Sequence, residues 1–185
     1  ITDHNAIAGV KVAQEAAGEG FLVLPGTEVS TAAGHVLAYG VDEVIPRDLS
    51  VAETFERITA LGGVAVAAHP FRFWSGLGTE ALGEARFPAY ETSNARTLRR
   101  GNRRARDRAR EAKVGETGGS DSHFLDEIAR GVTAVDSRVR TPDDVIQLIG
   151  QGKTRAQGFD RGVGGTLRYV PKAVGEWIGR GMKRI

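Results

Sequence analysis

Short apolar runs of strand length recur along this chain and are separated by segments of helical composition. The clearest run is VAVAAHP at 64–70, where apolar residues follow one another without alternation. Such continuity is typical of a strand that is buried on both faces of a parallel sheet. Further strands are predicted at 21–31 and 35–41, which a turn joins, and at 87–94 and 154–159, while 114–123 is read as a short strand that leads into a loop.

Helices are predicted between these strands from their composition and end signals. Ser50 and Glu53 form a capping box that begins a helix through Leu61. Thr141 and Pro142 mark the start of another helix, which runs through Ile149. Two more helices are predicted at 5–17 and 96–113. This alternation predicts an α/β architecture with a mostly parallel sheet or barrel, in which reactive groups gather at the carboxyl ends of the strands.

Length and composition predict one compact domain, and the DRGVGG sequence at 160–165 is the candidate boundary at its end. The chain has 185 residues, of which 41% are hydrophobic and 26% are charged. Its apolar runs are too short to cross a bilayer, and no signal peptide opens it, so we expect a soluble cytoplasmic protein. A basic tail at 159–185 carries apolar residues at helical spacing. We expect this tail to pack on the domain, with contact to nucleic acid or a membrane surface as the alternative.

Positive charge is concentrated in the segment 96–113. It holds eight Arg and one Lys against Asp107 and Glu111, although the net charge of the whole chain is only +2. We interpret the segment as a solvated helix face, and binding of a polyanion is the alternative.

Cysteine is absent, so disulfides and thiolate metal sites are excluded. Any metal ion must therefore be held by imidazole and carboxylate groups. The GQGKT sequence at 150–154 resembles a phosphate-binding loop, but Gln147 stands where that motif requires glycine. The sequence also contains neither a G-x-S-x-G elbow nor an H-E-x-x-H motif.

All four histidines lie at a predicted strand end or start, beside a carboxylate or a turn. Asp121 and His123 are two residues apart, so both side chains can face one cavity from an extended loop. Glu28 has two carboxylate oxygens that can bridge two cations about 3.5 to 4 Å apart. Together these groups predict a site for clustered divalent cations, and its members are His4, Glu28, His35, His69, Asp121 and His123.

Several motifs of this chain resemble those of the PHP (polymerase and histidinol phosphatase) family, in particular its small stand-alone phosphoesterases. They are TDHN, PGTEVST followed by GHVLAYGV, GGVAVAAHPFR, YETSN and GGSDSH, and together they cover 1–158. The resemblance implies a distorted (β/α)7 barrel that binds up to three metal ions. It also implies phosphoester hydrolysis by a metal-activated water, without a protein nucleophile.

The resemblance also implies roles for individual residues. Glu28 resembles the bridging ligand, with His35 and His69 on one metal ion. His4 and His123 resemble ligands of a second ion, and Asp121 resembles a ligand of the remaining one. Glu91 and Asn94 match a motif that borders the pocket, and we expect Asn94 to contact substrate and Glu91 to support the ligands.

Two further roles follow from chemistry. Arg72 is the candidate phosphate clamp, because a guanidinium fork matches two phosphate oxygens, and a surface ion pair is the alternative. Asp3 is expected to orient an imidazole ligand, because a ligating histidine commonly donates its other N–H to a carboxylate.

The chain departs from the family at its start, since it has no H-x-H sequence. We therefore expect that the first strand and helix of the barrel, with their ligands, are missing before Ile1. Whether the chain is active in this form stays open at this point.

The predicted function is metal-dependent hydrolysis of phosphoesters in nucleotides or other small molecules. One alternative is a 5′-3′ exonuclease or another processor of oligonucleotide ends, and a further alternative is a non-catalytic structural module or an inactive fragment.

Four imidazoles favour manganese, zinc or iron over magnesium. The expected partner is a phosphorylated small molecule or a nucleic-acid end, without a membrane. The sequence assigns no oligomeric state.

Overall fold

The computed structural model describes residues 1–158 together with 174, 175 and 178. Seven strands are present in this part: β1 Gly26–Ser30, β2 His35–Tyr39, β3 Val64–Ala67, β4 Ala89–Asn94, β5 Gly115–Gly119, β6 Gly131–Ala134 and β7 Arg155–Gly158. The helices are α1 Ala8–Ala16, α2 Val51–Ala60, α3 Gly78–Leu82, α4 Arg99–Ala112 and α5 Pro142–Gly150, with a short 3₁₀ helix at Leu125–Glu127. The predicted tail at 159–185 lies outside the described residues, apart from the three positions named above.

The strands form a mixed sheet and a separate ladder. The sheet has five strands in the order β1-β2-β3-β4-β5. β3, β4 and β5 pair in parallel, whereas β2 is antiparallel to both of its neighbours. β6 and β7 form an antiparallel ladder that packs against β4 and β5. The predicted α/β class is confirmed.

The expectation of a mostly parallel sheet holds for β3, β4 and β5, whereas β2 is antiparallel to both of its neighbours. β1 and β2 are joined by a short turn in which Thr31 N–H donates to the Gly34 carbonyl at 2.8 Å, and so short a connection permits only antiparallel pairing. A closed (β/α)7 barrel is not confirmed, because the strands of the described part of the chain form an open sheet and a two-stranded ladder.

The segment 3–5 runs parallel to β1 along its outer edge. Asn5 N–H donates to the Glu28 carbonyl at 2.9 Å, and Glu28 N–H donates to the Asp3 carbonyl at 3.1 Å. The Asn5 side chain also bonds Ser30 through its amide oxygen and nitrogen, both at 2.9 Å. These bonds fix His4 opposite Glu28 as an isolated parallel bridge.

The sheet is buried on both faces. On one face Val36 and Ala38 of β2 pack in a cluster that includes Ile58 of α2 and Ala109 of α4. On the other face Leu37 of β2 joins a second cluster with residues of β3 and α5. Since neighbouring residues of β2 and β3 enter opposite clusters, the unbroken apolar runs of the sequence are explained.

Most predicted elements are present, with changed limits. Both capping boxes are formed, at Ser50 with Glu53 and at Thr141 with Asp144. The strand predicted from 21 begins only at Gly26, and the helix predicted from 96 begins at Arg99. α3 and β6 were not predicted, because elements of five and four residues are too short to show a periodic pattern.

Among the described residues, no helix combines the length and the apolar character that a membrane crossing needs.

Candidate metal centre

The candidate residues meet at one edge of the sheet. β1, β3, β4 and β5 run in the same direction, so their carboxyl ends lie together with the amino end of the opposed strand β2. Glu28 lies in β1, His35 begins β2, and His69 follows β3. Asn94 ends β4, and Asp121 follows β5. The parallel part of the sheet thus places its reactive groups as the sequence predicts.

A buried carboxylate surrounded by imidazoles forms the first half of the site. Glu28 Oε1 lies 2.7 Å from His35 Nδ1 and 3.0 Å from His69 Nε2. Glu28 Oε2 lies 3.6 Å from His4 Nε2. The His35 ring stands edge-on to both other rings, with centroid distances of 5.0 Å to His4 and 5.3 Å to His69.

This donor set fits a divalent cation. One ligand atom each from His4, Glu28 and His35 lie within 4.8 Å of one another. In addition, the Nδ1 atoms of His4 and His69 are buried without a hydrogen-bond partner among the described residues. Unpaired buried polar atoms are rare and call for an explanation, and mixed imidazole and carboxylate ligation suits zinc and the other borderline divalent metals.

The ionisation of these groups also suits a cation. Burial opposes ionisation of Glu28, but hydrogen bonds from His35 and His69 hold its pKa well below the usual range. Burial lowers the pKa of His4 and of His69. These directions favour a charged Glu28 carboxylate beside neutral His4 and His69 imidazoles, which is the protonation state that metal binding requires.

The second half of the site centres on Asp121. Its Oδ2 accepts hydrogen bonds from Arg72 Nη2 and, at 3.1 Å, from Asn94 Nδ2. Its Oδ1 lies 3.5 Å from Arg96 Nη1 and 3.7 Å from His123 Nδ1. Burial alone would raise the pKa of Asp121, but the charge of Arg72 and its hydrogen bond lower it.

The two halves are electrostatically joined but differ in composition. The charge of Asp121 acts on the pKa of both His4 and His69, so the two halves lie close enough to interact. His123, however, contacts Arg96 and Asp121, while His4 stands with Glu28 and His35. The charge of His123 nevertheless acts on the pKa of His4, so the pairing of these two residues on one ion, which the family resemblance implies, stays a prediction.

Glu91 supports the site from beneath. Its Oε2 accepts the His69 N–H at 2.8 Å, and Asn94 Nδ2 donates to its two oxygens at 3.2 and 3.1 Å. Burial raises the pKa of Glu91 to about 7, and the charges of Asp121 and Glu28 add to this effect. A Cβ on Gly119 would lie 2.4 Å from Glu91 Oε1, so a larger residue there would displace this carboxylate.

Three residues of the site have left-handed backbone. Asn5 has φ of 50°, His69 has φ of 27° and Asp121 has φ of 49°. Such a conformation costs on the order of 1–3 kcal/mol for a residue other than glycine, and it persists where the surroundings enforce it. Two predicted metal ligands are thus held in positions that the chain alone would not favour.

Two predicted roles, those of Asp3 and Asn94, need revision. Asp3 contributes through its carbonyl, which accepts from Glu28 N–H and from Thr27 Oγ1. Its carboxylate makes no hydrogen bond to an imidazole in the described part of the chain and instead lies beside Gly9. Asn94 uses both ends of its amide within the protein, since its oxygen accepts from Arg72 at 2.6 Å. It therefore positions Arg72 and Asp121 rather than offering a free group to substrate.

Arg96 is a site residue that the sequence did not reveal. Its side chain is only 7% exposed, and it reaches Asp121 and His123 from the turn before α4. It was assigned to the solvated face of the Arg-rich segment. Its position two residues after Asn94, outside the helix, is the signal that separates it from the other arginines.

Comparison with known proteins gives matches to parts of the chain. Residues 99–154 match the model of a family described as PHP-associated. An uncharacterized protein of Methanocaldococcus jannaschii is 40% identical over 72 residues, which is 38% of this chain and 42% of that protein. The matched region therefore spans less than half of that relative's length.

Three solved structures have a similar fold. A two-domain protein from Bacteroides vulgatus, said to contain a predicted PHP-like metal-dependent phosphoesterase, aligns with a TM-score of 0.67 and 17% identity over 85% of this chain and 55% of its own. PsfC from Pseudomonas syringae aligns with a TM-score of 0.61 and 21% identity over 77% of this chain and 62% of its own. A candidate metal-dependent phosphoesterase from Bifidobacterium adolescentis aligns with a TM-score of 0.59 and 18% identity, over 86% and 85% of the two chains.

These likenesses establish a shared fold, and the family match covers the helix and strands that carry one side of the site. Residues 99–154, which include the SDSH motif, are thus similar to a PHP-associated family, and the fold is similar to that of the solved PHP-like proteins.

Proposed function

We propose that this chain hydrolyses phosphoesters with the help of divalent metal ions. The observation that carries the proposal is the buried Glu28 carboxylate with His4, His35 and His69 around it. A bound divalent cation supplies Lewis-acid stabilisation of phosphoryl oxygens and lowers the pKa of water near the substrate. The names of the Bacteroides and Bifidobacterium proteins, which refer to metal-dependent phosphoesterases, support the same reaction class.

One group of residues is proposed to bind the metal ions, and another group is proposed to bind the phosphate. His4, Glu28 and His35 are proposed to bind one ion, and His69 approaches it through the shared Glu28 oxygen. Asp121 and His123 are proposed as ligands of further ions, following the family motifs. The four imidazoles favour manganese, zinc or iron over magnesium.

Arg72 and Arg96 are proposed to bind the phosphate. Both guanidinium groups lie against the Asp121 carboxylate, at the border of the imidazole cluster. Because a carboxylate and a phosphate present similar pairs of oxygens, guanidinium groups that bind one are suited to bind the other. Asn94 and Thr97 hold Arg72 in place through its Nη2 and Nε atoms.

A nucleic-acid end is proposed as the second candidate substrate. The observation that favours it is the row of exposed arginines on α4, which are Arg99, Arg100, Arg103, Arg104 and Arg110. If a nucleic-acid strand binds along α4, the affinity of the chain for that strand should fall steeply with salt concentration. Affinity for a small phosphate ester should change much less.

The direct test is an assay of small phosphate esters with manganese and with chelator. We expect hydrolysis with manganese and its loss with chelator. His69→Ala should lower kcat/KM by a factor of at least ~100 by removing a ligand of the site. The matched control, Glu43→Gln, alters an exposed carboxylate outside the site and should retain activity. Activity that resists chelator, or that survives in His69→Ala, would refute the proposal.

A further inference from the structure

Two large aromatic side chains stand in solvent beside the candidate centre. Phe73 is 90% exposed and Trp74 is 82% exposed. Their rings contact each other edge-on, with centroids 5.4 Å apart. They follow Arg72, the proposed phosphate ligand, directly in the sequence. Large aromatics gain much from burial, so a neighbouring exposed pair indicates a surface that binds something.

The loop that carries the pair is fixed to the metal-binding residues. Arg72 N–H donates to the His69 carbonyl at 2.9 Å, and His35 N–H donates to the Ser75 carbonyl at 3.2 Å. Gly76 N–H closes the loop on the Arg72 carbonyl at 3.1 Å. A Cβ on Gly76 would lie within 2.7 Å of backbone atoms of Pro70 and Arg72, which shows how compact the loop is. The aromatic pair therefore has a set position relative to His35 and His69.

The base of the same loop is joined to the basic helix α4. The Arg104 guanidinium lies 4.3 Å from the centroid of the Phe71 ring, and its Nη2 donates to Thr79 Oγ1 at 2.9 Å. Arg100, one turn earlier and exposed, shares that side of the helix by its spacing. Exposed aromatic rings next to cations, with an anion-binding site close by, are the combination that binds nucleobases of phosphorylated ligands.

We propose that Phe73 and Trp74 form a stacking surface for the planar base of a nucleotide whose phosphate is bound at Arg72. The inference deepens the proposed function, on which it rests for the position of the phosphate. A protein partner is the less suitable occupant, because a specific protein interface buries roughly 800 Å² on each side and this patch consists of two side chains between Arg72 and polar Ser75. The shared chemistry is a nucleobase, carried by a mononucleotide or by the end of a strand.

Binding to the full chain in chelator tests the proposal without hydrolysis. The probes are adenosine monophosphate and ribose 5-phosphate, which differ by the base, and affinities are measured by equilibrium dialysis. In Trp177→Phe, Trp74 is the single tryptophan left, so its fluorescence reports on the pair. We expect adenosine monophosphate to quench it saturably and to bind at least about fivefold more tightly than ribose 5-phosphate.

Variants then assign the effect to the pair. Trp74→Ala should reduce the ratio of the two affinities toward one, and Trp74→Phe should largely restore it, because phenylalanine keeps a stacking face. The matched control is Phe21→Ala, another exposed aromatic, which lies between β1 and α1 and should leave the ratio unchanged. A 5′-phosphorylated tetranucleotide serves as the strand probe. If the tetranucleotide binds more tightly than adenosine monophosphate and its binding weakens steeply with salt, the base belongs to a strand end. If the two bind equally, the base belongs to a mononucleotide.

The outcomes separate this inference from the proposed function. Equal affinities for the two probes, or a ratio unchanged in Trp74→Ala, overturn the stacking surface even if esters are hydrolysed. Self-association that is lost in Trp74→Ala, without quenching by nucleotide, assigns the pair to a protein contact and also overturns it. Quenching and base selectivity in a chain that hydrolyses no ester support the stacking surface while the proposed function fails.

Discussion

At the scale of single residues, the pKa values of two buried glutamates of the site are shifted in opposite directions. Glu28 has imidazole donors at 2.7 and 3.0 Å, and its pKa lies well below the usual range. Glu91 receives a backbone N–H and an amide but lies among like charges, and its pKa is raised to about 7. Burial is common to both, so the difference comes from their partners. One carboxylate is charged at the centre, and the other is easily protonated beneath it.

The Glu91 pKa predicts a pH dependence of stability. Between its ordinary value of 4.5 and about 7, the folded chain holds a proton that the unfolded chain has lost. Rising pH across this window therefore destabilises the fold through Glu91, by about 3 kcal/mol. Glu91→Gln cannot titrate. Urea unfolding in chelator from pH 4.5 to 7.5 should show the wild type losing stability relative to this variant.

The exposed Glu43→Gln variant is the control for that measurement, and its stability should follow the wild type at each pH. Parallel curves for the wild type and Glu91→Gln would show that Glu91 does not carry the proton. The comparison uses the difference between the two proteins, so the titration of His4 and His69, whose lowered pKa values act in the opposite direction, cancels.

At the scale of elements, the strand β5 depends on glycine for its packing against the ladder of β6 and β7. A Cβ on Gly118 would lie 2.3 Å from the Val132 carbonyl oxygen and 3.0 Å from that of Gln157. Both contacts are to backbone, which cannot move aside by rotating a side chain. Gly118 of β5 is therefore required by the close approach of β5 to the ladder, despite the low strand propensity of glycine.

Gly118→Ala tests this close packing. Overpacking of this kind should lower the free energy of unfolding by about 1–3 kcal/mol. Gly18→Ala is the matched control, because a Cβ there meets no atom within 4 Å, and its stability should stay the same or rise slightly. Urea unfolding measures both. Equal stabilities of Gly118→Ala and the wild type would show that the β5 contact is looser than the structure indicates.

Features that depend on local sequence were predicted, whereas features that depend on contacts between distant residues were not. The capping box at Ser50, the helix start at Thr141 and the doubly buried run at β3 are local patterns, and they were predicted correctly. The antiparallel pairing of β2 with β3 joins strands that α2 separates in the chain, so no local pattern could reveal it. The same holds for Arg96, whose contacts with Asp121 and His123 cross from one strand end to another.

At the scale of the whole molecule, the fold brings distant residues to one sheet edge. His4 is placed by its bridge to β1, His35 by the hairpin, and His69 by the loop after β3. All three converge on Glu28, whose charge the surrounding imidazoles stabilise. Binding a divalent cation should therefore stabilise the folded chain, because the unfolded chain does not hold these ligands together.

Calorimetric titration of the chain with zinc or manganese at pH 7.5 tests this claim most directly. We predict saturable binding, weakened at least ~10-fold in Glu28→Gln and unchanged in Glu43→Gln, because only Glu28 lies among the imidazoles. His35→Ala should repeat the loss if Glu28→Gln proves unstable by circular dichroism. The absence of saturable binding, or equal affinity in the wild type, Glu28→Gln and His35→Ala, would contradict the account.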